Sequence, residues 1–207
     1  MGFLDWFRRP PPIADRAALG DFIDSRAAFL AQKSIFDYVR GRAGPYFTLI
    51  MKEKPFLDLL EIARWKNYPY GLSIIAEMIH GVLLPEARAR LALVAALREI
   101  ALQAFDHYPV PEALGAEFWG EARKALALRC DQIALHPPKP VMDIPVPFAQ
   151  VYFDNMPIHE RLREQDFELI RNQLRVNLLS MHRDFTKHAN LDALAADLMQ
   201  EADETAS

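Results

Sequence analysis

The chain has 207 residues, 51% of them hydrophobic and 25% charged, with a formal charge of -4 at pH 7 and a pI near 5.9. This is the balance of an ordinary globular protein with room for one real core, and its acidity argues against a nucleic-acid binder held by phosphate contacts. A single cysteine, Cys130, excludes an internal disulfide, favours a reducing cytoplasmic compartment, and reads as a small buried apolar residue rather than a nucleophile.

Residues 1–14 read as an arm, beginning MGFLDWFRRPPP. It is not a secretory signal, because it lacks a basic start and Asp5 breaks its apolar run. Trp6 stands where a myristoylation site wants Ser or Thr. Phe3, Leu4, Trp6 and Phe7 form a docking element, so residues 1–12 are expected to serve a protein partner or self-association, with weak membrane-surface contact as a further use. No apolar stretch reaches about 18 residues, so no transmembrane segment is expected.

A helical domain is expected over 15–200. The first helix runs from about Asp15 to Arg42, with Phe22, Phe29 and Phe36 seven apart beside Leu19, Ile23, Leu30 and Val39. Gly20 is expected to interrupt its first turn, and Gly41, Gly44 and Pro45 close it. A short helix follows to Lys54. A third covers Pro55 to Asn67 and buries Phe56, Leu59, Leu60 and Ala63. Pro69 separates it from Gly71–Leu84, which is apolar all round and therefore buried, the central helix of the bundle.

Pro85 ends that helix and opens the next, to about His107, with Leu93, Leu97, Ile100 and Ala104 as its stripe. A sixth helix spans Pro111 to Leu135, with Leu114, Phe118, Ala122, Ala125 and Leu128 facing inward. Residues 136–148 hold five prolines and read as an extended crossing. Either it is a strap covering the core with Val141, Met142, Ile144, Val146 and Phe148, or it is a binding loop. A short helix over 147–154 precedes the last long one, Pro157 to His188, striped by Phe167, Ile170, Leu174, Leu178, Met181 and Phe185. Asn190 caps a final helix to about Ala202, and 201–207 form a polar tail. The fold class is all-α, a single-domain bundle of eight or nine helices.

The central helix carries three polar side chains, Ser73, Glu77 and His80, on one stripe that Tyr70 extends. They are the catalytic candidates. As a triad they are misordered, since Glu77 lies between the other two and Ser73 and His80 are about 10 Å apart along the axis. Gly71-Leu72-Ser73-Ile74-Ile75 also lacks the second glycine of a nucleophile elbow. The bland reading is a buried polar stripe that fixes helix register.

Glu77 and His80 match one half of a di-iron Glu-x-x-His pair, with no second copy. No metal and no cofactor are assigned. A buried Glu77 should titrate abnormally, with His80 the nearest partner, Tyr or Arg from a neighbouring helix the alternative, and His136 or His159 the donors that would complete a metal site. Tyr70, His136, Asp143 and His159 are the ligand-binding candidates. Arg64 to Tyr70 interleaves basic and aromatic residues, read either as a helix end with rim side chains or as a stacking surface.

These features lead to a helical interaction or scaffold protein, homodimeric in the leading form. The alternative is a small-ligand binder or esterase-like hydrolase using the polar stripe. Two stretches carry a resemblance: His136-Pro137-Pro138-Lys139 leading to Met142-Asp143-Ile144-Pro145, and Tyr152-Phe153-Asp154 leading to Met156-Pro157-Ile158-His159-Glu160. They resemble an uncharacterised family of bacterial all-helical proteins whose members are sometimes labelled esterase. The resemblance covers most of the chain. It implies a helical domain in a bacterial cytoplasm and supplies no catalytic residue.

Overall fold

The computed structural model describes residues 12–205, so the aromatic part of the expected arm lies outside the described residues. Nine α-helical segments follow in order: α1 Arg16–Ala43, α2 Phe47–Ile50, α3 Lys54–Leu83, α4 Arg90–Asp106, α5 Gly115–Gln132, α6 Ala149–Asp154, α7 Glu160–Arg163, α8 Phe167–His188 and α9 Leu191–Thr205. There is no β-strand among the described residues. One isolated bridge joins Ile13 to Ala189 and brings the start of the chain to the end of α8. No helix of the described residues is long and apolar enough to cross a membrane.

Helix α1 starts where expected, because the Asp15 carboxylate accepts from the Ala18 N–H at 2.8 Å. It runs through Gly20 without interruption and ends at Gly44, whose φ of 51° suits a glycine. Its seven-residue Phe repeat splits three ways. Phe22 is buried, Phe36 is half-buried against Phe47, and Phe29 is 47% exposed.

Helix α3 corrects the expected break at Pro69. The third and central helices are one helix of 30 residues with Pro69 inside it. An internal proline costs about 3 kcal/mol by removing a hydrogen bond and crowding the preceding turn. Burial on both sides offsets this, since Asn67, Tyr68 and every residue from Gly71 to His80 are buried. Helix α6 braces the same point. Asn155 Nδ2 donates to Asn67 Oδ1 at 2.8 Å, and the Tyr152 hydroxyl donates to the Asn67 carbonyl at 3.3 Å. Of the expected buried centre Gly71–Leu84, Gly71 to His80 and Leu83 are buried while Gly81, Val82 and Leu84 are half-buried, and α1 makes its largest interface with α3. A Cβ on Gly71 would fall 2.8 Å from the Ala27 carbonyl oxygen, so the two backbones approach as only glycine permits.

Other expectations shift by a turn or a face. The helix after Pro85 begins at Arg90, because 84–86 continue as turns off the end of α3 and 87–89 are irregular. Helix α5 begins at Gly115, not Pro111, and the last long helix at Phe167, with α7 as a separate turn. The inner face of α5 is Trp119, Leu126 and Cys130, while Phe118 and Leu128 point outward at 38% and 59% exposure. Trp119 decides this by stacking on Phe105 with ring centres 4.2 Å apart. Leu59 is likewise exposed rather than buried, since the first half of α3 lies at the bundle's rim. The α8 stripe holds: Ile170, Leu174, Leu178, Met181 and Phe185 are buried, and Phe167 is half-buried against Phe153.

Candidate functional site

The polar stripe of α3 lies under the crossing segment 136–148. Ser73 and His80 are buried, and Glu77 is 8% exposed. Pro138 passes over Gly81, in line with close seating of the crossing on α3. Lys139 brings its ammonium to 2.9 Å from Glu77 Oε1, a charge contact whose angle lies outside that of a hydrogen bond. The His136 ring nitrogen Nε2 is 3.7 Å from the same oxygen. A carboxylate in a buried helix needs such a counter-charge, and Lys139 supplies it.

His80 is not the partner of Glu77. Burial first, then the positive charges of Arg90 and His136, push its imidazole down to about 4, so it is neutral near pH 7. Its Nε2 is buried with no hydrogen-bond partner among the described residues. Arg90 donates to the Ile133 carbonyl at 3.1 Å and to the His136 carbonyl. That ties the start of α4 to the point where the crossing leaves α5. Cys130, beneath the site, is pushed up to about 12 by burial, aided by Asp131 and Glu77, so it stays a thiol.

Ser73 has no base. Its hydroxyl donates to the Tyr70 carbonyl at 2.9 Å, within its own helix. A serine nucleophile needs a general base within hydrogen-bond reach, and none bonds Ser73 among the described residues. Tyr70 is held between the Arg129 guanidinium, 4.4 Å above its ring, and Phe148, 6.0 Å away. The site is therefore a clamp, in which polar residues of α3 are engaged by α4, α5 and the crossing.

Of the ligand-binding candidates, Tyr70 and His136 share this site. Asp143 faces α8, where Arg175 lies 3.7 Å away and also donates to the Met142 carbonyl at 3.0 Å. His159 is exposed and caps α7 by accepting from the Arg161 N–H at 3.3 Å. It lines a separate apolar cavity with Phe56, Ile158 and Leu162, so it does not complete a metal site on Glu77. Among the described residues no group of three or more His, Cys, Asp or Glu side chains could hold a metal ion. The crossing covers the core with Val141, Ile144 and Phe148, while Met142 and Val146 are 37% exposed.

Sequence reasoning missed Lys139 as the counter-charge, although it stands within the quoted His136–Lys139 motif. It also missed Asp166, which receives the Tyr38 hydroxyl and Arg42 Nε, both at 2.6 Å, and Asp24, which joins Tyr68 to Tyr108. No local pattern announces either, because each acts across more than 40 residues of chain. No family model, curated protein or solved structure matches this chain.

Proposed function

We propose that this chain is a helical interaction protein that works through its surface, and that it self-associates. One contrast supports the reading: the stripe residues that could do chemistry are engaged or buried, while exposed apolar side chains stand among the polar ones lining an open groove between α1 and α8. Phe29 is 47% exposed, Leu169 56% and Val176 61%. Two adjoining cavities of about 690 and 540 Å³ run along this groove and share Lys33 and Asn177 as walls. Exposed apolar surface of this kind is a common mark of an interaction site.

The groove's rim is charged, and much of that charge is paired within it. Arg26 meets Asp184, Lys33 meets Asp37 and Arg42 meets Asp166. Phe29, Leu169 and Val176 supply the apolar contact for a partner, and a groove between two antiparallel helices suits a third helix face. The buried, protonated Cys130 fits a cytoplasmic setting. The experiment is light scattering of the full chain against a variant carrying Leu169→Asp and Val176→Asp. The expected result is an assembly that dissociates in the variant. A wild-type chain that stays monomeric as its concentration is raised overturns self-association.

A second reading, small-ligand binding, has one observation in its favour. The cavity at His159 is apolar on its other walls except at Arg42, with a volume of about 360 Å³, the size of a small ligand site. Competition of an apolar fluorescent dye for this cavity, lost in Phe56→Asp, would support it.

A further inference from the structure

We propose that the cavity walled by Trp65, Tyr68 and Tyr108 binds a small quaternary ammonium group. The three rings pack around one another at steep angles. Trp65 lies 5.2 Å from Tyr108 at 62° and 5.9 Å from Tyr68 at 84°, and the two tyrosines are 5.5 Å apart at 83°. Ala28 and Ala31 of α1 and Arg64 of α3 complete the lining, and the small α1 side chains leave a space of about 130 Å³. That is slightly less than the roughly 150 Å³ that accepts benzene, so it suits a trimethylammonium head and not a nucleobase.

A quaternary ammonium has no N–H to donate, so a site recognises it with ring faces and a nearby negative charge. Both are present. The Asp24 carboxylate accepts from the Tyr68 hydroxyl at 2.6 Å and from the Tyr108 hydroxyl at 2.9 Å. This fixes both rings and places an anion behind them. Trp65 is fixed in turn by Trp119, 5.7 Å away at 84°, itself stacked on Phe105. Rings held by a second layer of packing hold their geometry before any ligand arrives. Trp65 and Tyr108 are half-exposed, so the cavity opens to solvent. Arg64 lines the same space, and its guanidinium is the charge that an incoming cation must displace.

The site stands apart from the α1–α8 groove, so it can fail or succeed independently of the interaction reading. The test is a titration of the full chain with choline, followed through the Trp65 indole N–H by NMR, with sodium chloride as the ionic-strength control. The expected result is a saturable shift at Trp65. The neutral carbon isostere of choline should bind roughly tenfold more weakly. Asp24→Asn should weaken binding several-fold and Arg64→Gln should tighten it, while Trp65→Leu, which lacks the indole reporter and is read by calorimetry instead, should abolish it. Tyr108→Phe keeps the ring and should retain measurable binding, which guards against a variant that merely unfolds. No saturable shift with choline, or equal binding of the isostere, overturns the proposal.

Discussion

Glu77 on α3 carries a charge and is 8% exposed, while Val176 on α8 is apolar and 61% exposed. The two regions reverse the usual distribution of polarity for different reasons. At the α3 stripe, the fold needs every face of Gly71–His80 for packing, so a carboxylate there is enclosed and the crossing carries Lys139 in to meet it. At the groove, α1 and α8 have satisfied their packing with Phe22, Leu174, Leu178 and Phe185, and what remains outward is free to be apolar. Polarity inside marks a structural clamp here, and apolarity outside marks the candidate working surface. The lesson is that a polar cluster is a functional site only when its members are left something to do.

The largest expected effect tests the packed side of that contrast. Ile75→Ala removes a fully buried side chain from the centre of α3 and should cost about 2–5 kcal/mol in urea unfolding. A cost under about 1 kcal/mol would mean that this segment is not the core's centre.

Next comes the clamp itself. Lys139→Met leaves Glu77 without its ammonium and should cost roughly 3 kcal/mol. Adding Glu77→Gln to the same chain should recover most of that loss, because a neutral pair no longer needs a counter-charge. A double-mutant cycle with no coupling would break the clamp reading.

His80 gives a pH signature of slightly smaller size. Its pKa is lowered from 6.5 in the unfolded chain to about 4 in the fold. Between these values the unfolded chain takes up a proton that the native state refuses, so stability is full above pH 6.5 and declines as pH falls toward 4. The loss should be roughly 2–3 kcal/mol by linkage. It should be absent in His80→Gln, as read by denaturant titrations at several pH values.

The smallest stability effect belongs to the open side. Val176→Ser should change unfolding free energy by no more than about 0.5 kcal/mol, because the side chain is mostly exposed. A larger loss in dilute solution would show that α8's outer face is part of the core and that the two regions are not opposites.

Residue order alone settled the all-α class, a buried centre starting at Gly71, the α8 stripe and the Asp15 start of α1. Each depends on periodicity or on groups three or four residues apart, which a helix brings together by its own geometry. Tertiary structure decided the rest. Pro69 lies inside a helix because packing from α1 and α6 outweighs one lost hydrogen bond. On α5, Trp119 displaced Phe118 from the core because Phe105 on α4 offered it a stacking face. Asp24 on α1 joins Tyr68 on α3 to Tyr108 just past α4, and Lys139 reaches Glu77 from 62 residues further along the chain. Such partners are chosen by which elements meet in space, and local spacing carries no record of that choice.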